Sequence, residues 1–205
     1  MSSFHPSVEK PQLSGNKIVF VDLDETLFHT RFFRSFWHAN ASGLKFDAVL
    51  DLDDGIYAAQ LRVGAIDLLT ALRALTQHVY VLTSSIKQYA RGFNDSLNLG
   101  FKPEHIISRE QLEKRGSADP LPDFANLLEQ QPLEVYLIDN LPSFDNYKKT
   151  RLLFEVFGRK SRAKYIRVED FLGGSQEECT FEPLDVKYIL EEITGVIAPM
   201  DSVDI

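Results

Sequence analysis

Two hydrophobic rhythms alternate along this chain. Short, nearly solid apolar runs at Ile18–Leu23, Val79–Leu82 and Val135–Ile138 are rich in β-branched and aromatic side chains. Runs of that length and type predict strands buried on both faces, as in a parallel sheet. Ile106–Ile107 and Tyr165–Val168 predict two more, shorter strands. Between them lie segments with a period near 3.6. Over Gly64–Gln77, Ile66, Leu69, Leu72 and Leu75 fall on one face, with Asp67, Thr70, Arg73 and Gln77 off it. Further helices are expected from Thr83-Ser84-Ser85 through Tyr89 and Phe93 to near Gly100, over Tyr147–Phe157 and over Leu184–Ile197. Pro122 suits the first turn of another, running to about Gln130.

Residues 28–45 show neither rhythm and read as an irregular, aromatic-rich stretch. Asp47–Leu61 reads as a hairpin, with Asp53-Asp54-Gly55 supplying the turn between AVLDL and IYAAQL. Strands alternating with helices imply an α/β fold, an open and mainly parallel Rossmann-like sheet with helices on both faces. The hairpin makes a small insert after the first strand, about residues 28–62. One domain over 16–198 is expected, with polar tails at 1–15 and 199–205. The 205 residues suit this, since cores split only beyond roughly 250.

Composition narrows the class. Hydrophobic residues make up 44% and charged residues 25%, ordinary for a soluble globular chain. A lone cysteine, Cys179, excludes an intrachain disulfide and argues against a thiolate zinc site. No basic-then-apolar leader opens the chain, and no apolar run nears the ~20 residues of a membrane span. An intracellular protein, cytoplasmic or nuclear, is expected, with no membrane partner; its oligomeric state is not written in the sequence. The net charge of −8 argues against nucleic-acid binding. Between Lys148 and Arg167, eight Lys or Arg stand against Glu155 alone. That segment carries +7 and the remainder of the chain −15. It reads as a solvated face or as a surface attracting an acidic or phosphorylated partner.

The chemistry gathers at the strand ends. Asp22 and Asp24, Thr83, and Asp139 with Asn140 each close a buried run. Ligands of open α/β sheets bind beyond the carboxyl ends of the strands, where the strand order reverses. Carboxylates meeting there at about 4 Å repel by roughly 4 kcal/mol per pair at an effective dielectric near 20. Either one acid holds its proton or a cation sits among them. Mg²⁺, a hard ion that keeps waters and takes phosphate oxygens, suits oxygen ligands. Asp-x-Asp starts both carboxylates on one side of a strand. One can attack a phosphoryl group while the other serves as acid, then base. Thr83 and the adjoining Ser84 offer hydroxyls to phosphate, with a helix cap as the second reading of Thr83. Asn140 suits the metal or the turn before Pro142, and Asp145 reads as surface or as an outer acid.

DLDETL (Asp22–Leu27) resembles the nucleophile signature of the haloacid dehalogenase (HAD) superfamily. Its Glu25 form is similar to the branch of RNA polymerase II C-terminal-domain phosphatases and NLI-interacting-factor-like phosphatases. YAAQLRVGAIDLL, VYVLTSSIKQYA, SRE at 108–110, VYLIDNLPSF and RVEDFLG continue the likeness over about residues 17–195. The resemblance implies Asp22 as nucleophile and metal ligand. It implies Asp24 as acid/base with its carbonyl on Mg²⁺, Asp139 and Asn140 for the metal, and Thr83 for phosphate. It also implies a phosphoserine or phosphothreonine protein or peptide as substrate. The family's lysine, about sixteen residues before the metal aspartate, is missing, since that position is Asp123. Lys114 is the first candidate to replace it, then Arg115, then Lys148. Without such a cation the chain would be a weakly active module binding phosphorylated partners. Small-molecule or nucleic-acid phosphoesters fit the same chemistry, and a receiver-type phosphoacceptor would place its aspartate on a middle strand. Phe28, Phe32, Phe33, Phe36 and Trp37 are expected mainly in the core, with one or two at a groove rim. His29, His38, His78 and His105 suggest no metal set, and Cys179, with TFEPLD after it, no cysteine-based phosphatase.

Overall fold

The computed structural model describes residues 17–113, 121–122, 124, 128–129, 133–141, 147–157, 161–169 and 183–195. Both expected tails, most of the expected Pro122–Gln130 helix, and Lys114, Arg115, Asp123, Pro142, Asp145 and Cys179 lie outside these residues.

The first strand, β1 (Lys17–Val21), is buried on both sides. Its alternation divides the core. Val19 and Val21 face one layer, which also holds Leu68, Leu69, Phe93 and Ile189. Ile18 and Phe20 face a second, with Tyr80, Phe124, Leu153 and Phe157. The chain next builds an insert from β2 (Phe28–Phe33), the short helix α1 (Phe36–Ala41), β3 (Ala48–Leu52) and β4 (Gly55–Leu61). It returns through α2 (Ala65–Leu75), β5 (Val79–Leu82), α3 (Lys87–Ser96), a 3-10 turn at Pro103–His105, β6 (Ile106–Ile107) and α4 (Arg109–Glu113). β7 (Leu133–Asp139), α5 (Tyr147–Phe157), β8 (Ser161–Arg167) and α6 (Val186–Thr194) complete the described elements.

The main sheet has the order β6-β5-β1-β7-β8, and every pairing in it is parallel. The chain leaves β1 toward β5 and β6, then crosses back to β7 on the other side of β1. The order therefore reverses at β1, and its carboxyl end, between β5 and β7, is where such sheets bind ligands. This is the Rossmann-like α/β fold with helices on both faces that the pattern predicts. Among the described residues no helix is long and apolar enough to cross a membrane.

The insert corrects one expectation. Residues 28–45 are not irregular: β2 pairs antiparallel with β4, from Phe28 opposite Leu61 to Phe33 opposite Ile56, and α1 follows. The hairpin β3–β4 thus gains a third strand, in the order β2-β4-β3. Single-sequence reasoning misses β2 because its partner lies thirty residues on. At the tip Gly55 has φ +147°, and a Cβ there would stand 2.5 Å from the Phe32 ring. Only glycine closes this turn without strain. The insert leaves and rejoins the core at one point, where the Arg62 N–H donates to the Leu27 carbonyl at 2.9 Å. β3 packs along α3, with Leu50 against Gly92.

Two smaller differences concern burial. α2 turns Ala65, Leu68, Leu69 and Leu72 inward, leaving Ile66 41% exposed and Leu75 half-buried. The aromatics of the insert are mostly not core: Phe28 is buried, but Phe32 is 53% and Trp37 72% exposed, and Phe36 is exposed as well.

Phe20 is fully buried at the centre of the second layer, its ring centroid 5.6–6.1 Å from Tyr80, Phe124 and Phe157. Phe20→Ala should cost about 3–5 kcal/mol in urea unfolding, because the strand around it cannot collapse into the void.

Candidate active site

β1 and β7 run side by side, and the Asp22 N–H donates to the Ile138 carbonyl at 2.9 Å. Asp22 follows the last residue of β1, and Asp139 is the last residue of β7. Their carboxylates converge on one buried ammonium. Lys149 Nζ stands 2.7 Å from Asp22 Oδ1 and 2.7 Å from Asp139 Oδ2, with only 2% of its side chain exposed. Asp139 Oδ1 accepts the Leu141 N–H at 2.9 Å. The repulsion that the sequence implies is thus answered from within the chain.

Lys149 is the residue that sequence reasoning missed. The resemblance places the cation upstream of Asp139, whereas Lys149 lies ten residues downstream, in the first turn of α5. Lys148, the third candidate, points elsewhere: it is largely exposed and pairs with Glu113. A signal existed. Lys149, Leu153 and Phe157 are spaced by four, and all three are buried. A lysine on the apolar face, in the helix turn whose dipole disfavours cations, needs an anionic partner. Among the described residues, several cations of the basic stretch 148–167 are engaged within the chain. Arg151 pairs with Glu155 and Lys164 with Glu192, and Arg167 Nε donates to the Asn140 carbonyl at 3.2 Å.

After Asp22 the chain turns tightly. The Leu23 carbonyl accepts from the Thr26, Leu27 and Phe28 N–H groups at 3.3, 2.8 and 3.3 Å. Glu25 adopts φ +60°, a left-handed conformation uncommon for a residue with a side chain. Its carboxylate meets His29 Nδ1 at 2.7 Å. This turn separates the two aspartates. Asp22 faces Lys149, whereas the Asp24 carboxylate faces α3 and β2, accepting from Ser85 Oγ at 2.8 Å, from the Tyr89 hydroxyl and from Thr30 Oγ1 at 3.4 Å.

Thr83 lies beside them at the end of β5, buried, with its N–H on the Ile107 carbonyl at 3.0 Å. It does not cap α3. Its Oγ1 accepts the Ser85 N–H at 3.1 Å, and the α3 terminus is closed by Glu110, whose carboxylate takes the Lys87 N–H at 3.1 and 3.0 Å. Ser84 is exposed, and its carbonyl accepts Arg109 Nε at 2.7 Å. Asn140 is buried, with Oδ1 accepting from Thr26 Oγ1 at 3.3 Å. The structure therefore brings Asp22, Asp139 and Asn140 together along β1 and β7. It joins Asp24 to Thr83 through Ser85.

Burial pushes the Asp22 carboxyl up to about 7; Lys149 opposes this, and Asp139 and Asp24 add to it. Burial lowers the Lys149 pKa, but the two carboxylates outweigh it and hold the value above the usual lysine range.

Among the described residues no three His, Cys, Asp or Glu side chains gather as a metal cage. A Mg²⁺ site does not need one, because the ion keeps several waters and takes one or two carboxylates plus phosphate. The donors fit: Asp22 Oδ2 and the Asp24 main-chain carbonyl carry no hydrogen-bond donor among the described residues. Asp22, Asp139 and that carbonyl are all hard oxygens.

The family model for NLI interacting factor-like phosphatases matches residues 17–184. No curated protein sequence matches the chain. Among solved structures it is similar to Fcp1, an essential RNA polymerase II CTD phosphatase, at 14% identity and a TM-score of 0.44 over 78% of this chain and 46% of that one. It is similar to fission yeast Fcp1 with an Arg-to-Ala change, bound to beryllium fluoride, at 14% identity and a TM-score of 0.43 over 85% and 49%. It is also similar to the HAD domain of the Legionella pneumophila effector Lem4, an inactive mutant, at 15% identity and a TM-score of 0.43 over 88% and 94%. The chain spans about half the length of the two Fcp1 structures.

Two predictions follow from the buried lysine and its partners. Lys149→Met leaves two carboxylates without their cation and should lower stability by about 3–5 kcal/mol in chelator. Millimolar Mg²⁺ should raise the melting temperature of the variant more than that of the wild type. In metal-free protein the raised Asp22 value means that the folded state binds the extra proton between the ordinary carboxylate range and about pH 7. Stability should therefore fall as pH rises through that window, and Asp22→Asn should flatten the slope of melting temperature against pH.

Proposed function

The chain belongs to the NLI interacting factor-like phosphatases, and from that premise we propose that it hydrolyses phosphomonoesters through a phosphorylated Asp22. Phosphoserine or phosphothreonine on a protein is the proposed substrate, and Mg²⁺ the proposed cofactor. The observation that carries the reading is the buried Lys149 ammonium held between Asp22 and Asp139 at the switch point of the sheet.

In this mechanism an Asp22 carboxylate oxygen attacks phosphorus, and the bond from phosphorus to the ester oxygen breaks. Asp24 gives its proton to that departing oxygen. Water then attacks the aspartyl phosphate, Asp24 takes the water's proton, and the Asp22–phosphorus bond breaks to release phosphate. Lys149 Nζ, 2.7 Å from Asp22 Oδ1, balances the charge carried by the phosphorylated side chain. Thr83 donates its hydroxyl to a phosphoryl oxygen; among the described residues Oγ1 accepts the Ser85 N–H and its proton has no acceptor. Asp139, Asp22 and the Asp24 carbonyl would hold Mg²⁺, which supplies charge neutralisation to the phosphoryl oxygens.

An insert made of one three-stranded sheet and one short helix is small for a lid. An open site suits a phosphorylated side chain presented on a protein. The missing family lysine argues for a turnover-deficient binding module, and the buried Lys149 beside Asp22 supports the enzyme reading instead.

Hydrolysis of an aryl phosphate measured with Mg²⁺ and with chelator is the test. Activity should need the metal, and Asp22→Asn should lower kcat/KM by at least about 10³-fold. Undiminished hydrolysis in that variant would reject Asp22 as nucleophile.

A further inference from the structure

We propose that Tyr89, with Ser85 beside it, is the positioning residue for Asp24, fixing which of its oxygens exchanges the proton. This inference rests on the phosphatase reading above. Asp24 sits on a turn, partly exposed, where a carboxylate is otherwise free to rotate. Two hydroxyls from α3 and its approach grip opposite oxygens. The Tyr89 hydroxyl donates to Oδ1, and Ser85 Oγ donates to Oδ2 at 2.8 Å.

Tyr89 is itself held firmly. The residue is 6% exposed, and its ring packs edge-on against Phe93 at 4.8 Å and Tyr57 at 5.4 Å. Its hydroxyl also lies 2.9 Å from Thr30 Oγ1. Oδ1 accepts from two hydroxyls, those of Tyr89 and of Thr30 at 3.4 Å, whereas among the described residues Oδ2 accepts from Ser85 alone. The exchanged proton is left to Oδ2. The partner there, Ser85 Oγ, can donate to the carboxylate and accept from the acid. Tyr57 belongs to β4 and stacks edge-to-face on Phe32 of β2 at 5.3 Å. The insert thus braces the side chain that orients the acid.

A role in proton delivery has a signature that a purely structural role lacks, because it matters most for poor leaving groups. The leaving group of phenyl phosphate is a phenolate as basic as that of tyrosine, with a pKa of about 10. 4-Nitrophenyl phosphate leaves far more readily. For Tyr89→Phe, which keeps the ring, kcat/KM for phenyl phosphate should fall about 10–100-fold. The ratio of the two esters should shift about tenfold toward the nitrophenyl ester. Ser85→Ala, which keeps the Ser85 N–H on Thr83, should shift the ratio the same way. The double variant should fall short of the sum of the two effects, since both act on one carboxylate. If Tyr89→Phe does not fold, Ser85→Ala decides alone. Equal losses on both esters, or no loss on either, would overturn the positioning role while wild-type, Asp22-dependent turnover stands. A wild type that hydrolyses neither ester would remove the phosphatase reading and this inference with it.

Discussion

One ammonium between two carboxylates organises this molecule. Asp22 and Asp139 sit on adjacent parallel strands, close enough for each to accept from Lys149. Stripped of water, either carboxylate would be costly to keep ionised, and the pair more so. The lysine makes the arrangement tolerable, and once Asp22 ionises above about pH 7 two carboxylates and one ammonium leave a net negative charge. That residual charge suits the Mg²⁺ proposed above. The same geometry fixes where α5 docks, since its first turn must carry Lys149 to the ends of β1 and β7.

Much of the fold was legible because its central strands are buried on both sides. Val79–Leu82 and the run from Ile18 read as solid apolar blocks since no position in them faces water. The Asp53-Asp54-Gly55 turn was equally plain, its chemistry being local. What escaped was decided at a distance. β2 is a strand because β4 lies beside it, and FHTRFF carries no strict alternation to announce that. The α2 face was misjudged for a related reason. Ala65 and Leu68 turn inward with Leu69 and Leu72, while Ile66 is left near the surface.

The site divides in the same way. Carboxylates at strand ends were readable from Asp22, Asp24 and Asp139 because topology alone sends them to one rim. Their partners were not. Asp24 was expected to share the orientation of Asp22, but the strand ends at Val21, and the turn through Glu25 leaves it facing Ser85 and Tyr89. Nothing in the spacing of 24, 85 and 89 reveals that meeting. Lys149 was overlooked although Leu153 and Phe157 mark its face of α5 as interior. A buried position filled by a charged residue is a strong pointer, and it becomes visible only when helix faces are read before motifs.

The stitch between Arg62 and Leu27 has a consequence for how such a domain can diversify. The thirty-odd residues between these positions depart and come back at neighbouring points, tied by a main-chain bond that any side chains permit. The excursion can therefore lengthen, shorten or change its surface across lineages without displacing the strand that bears Asp22. The parts free to vary are those that touch neither Asp24 nor Tyr89, since Thr30 and Tyr57 of the insert brace that pair.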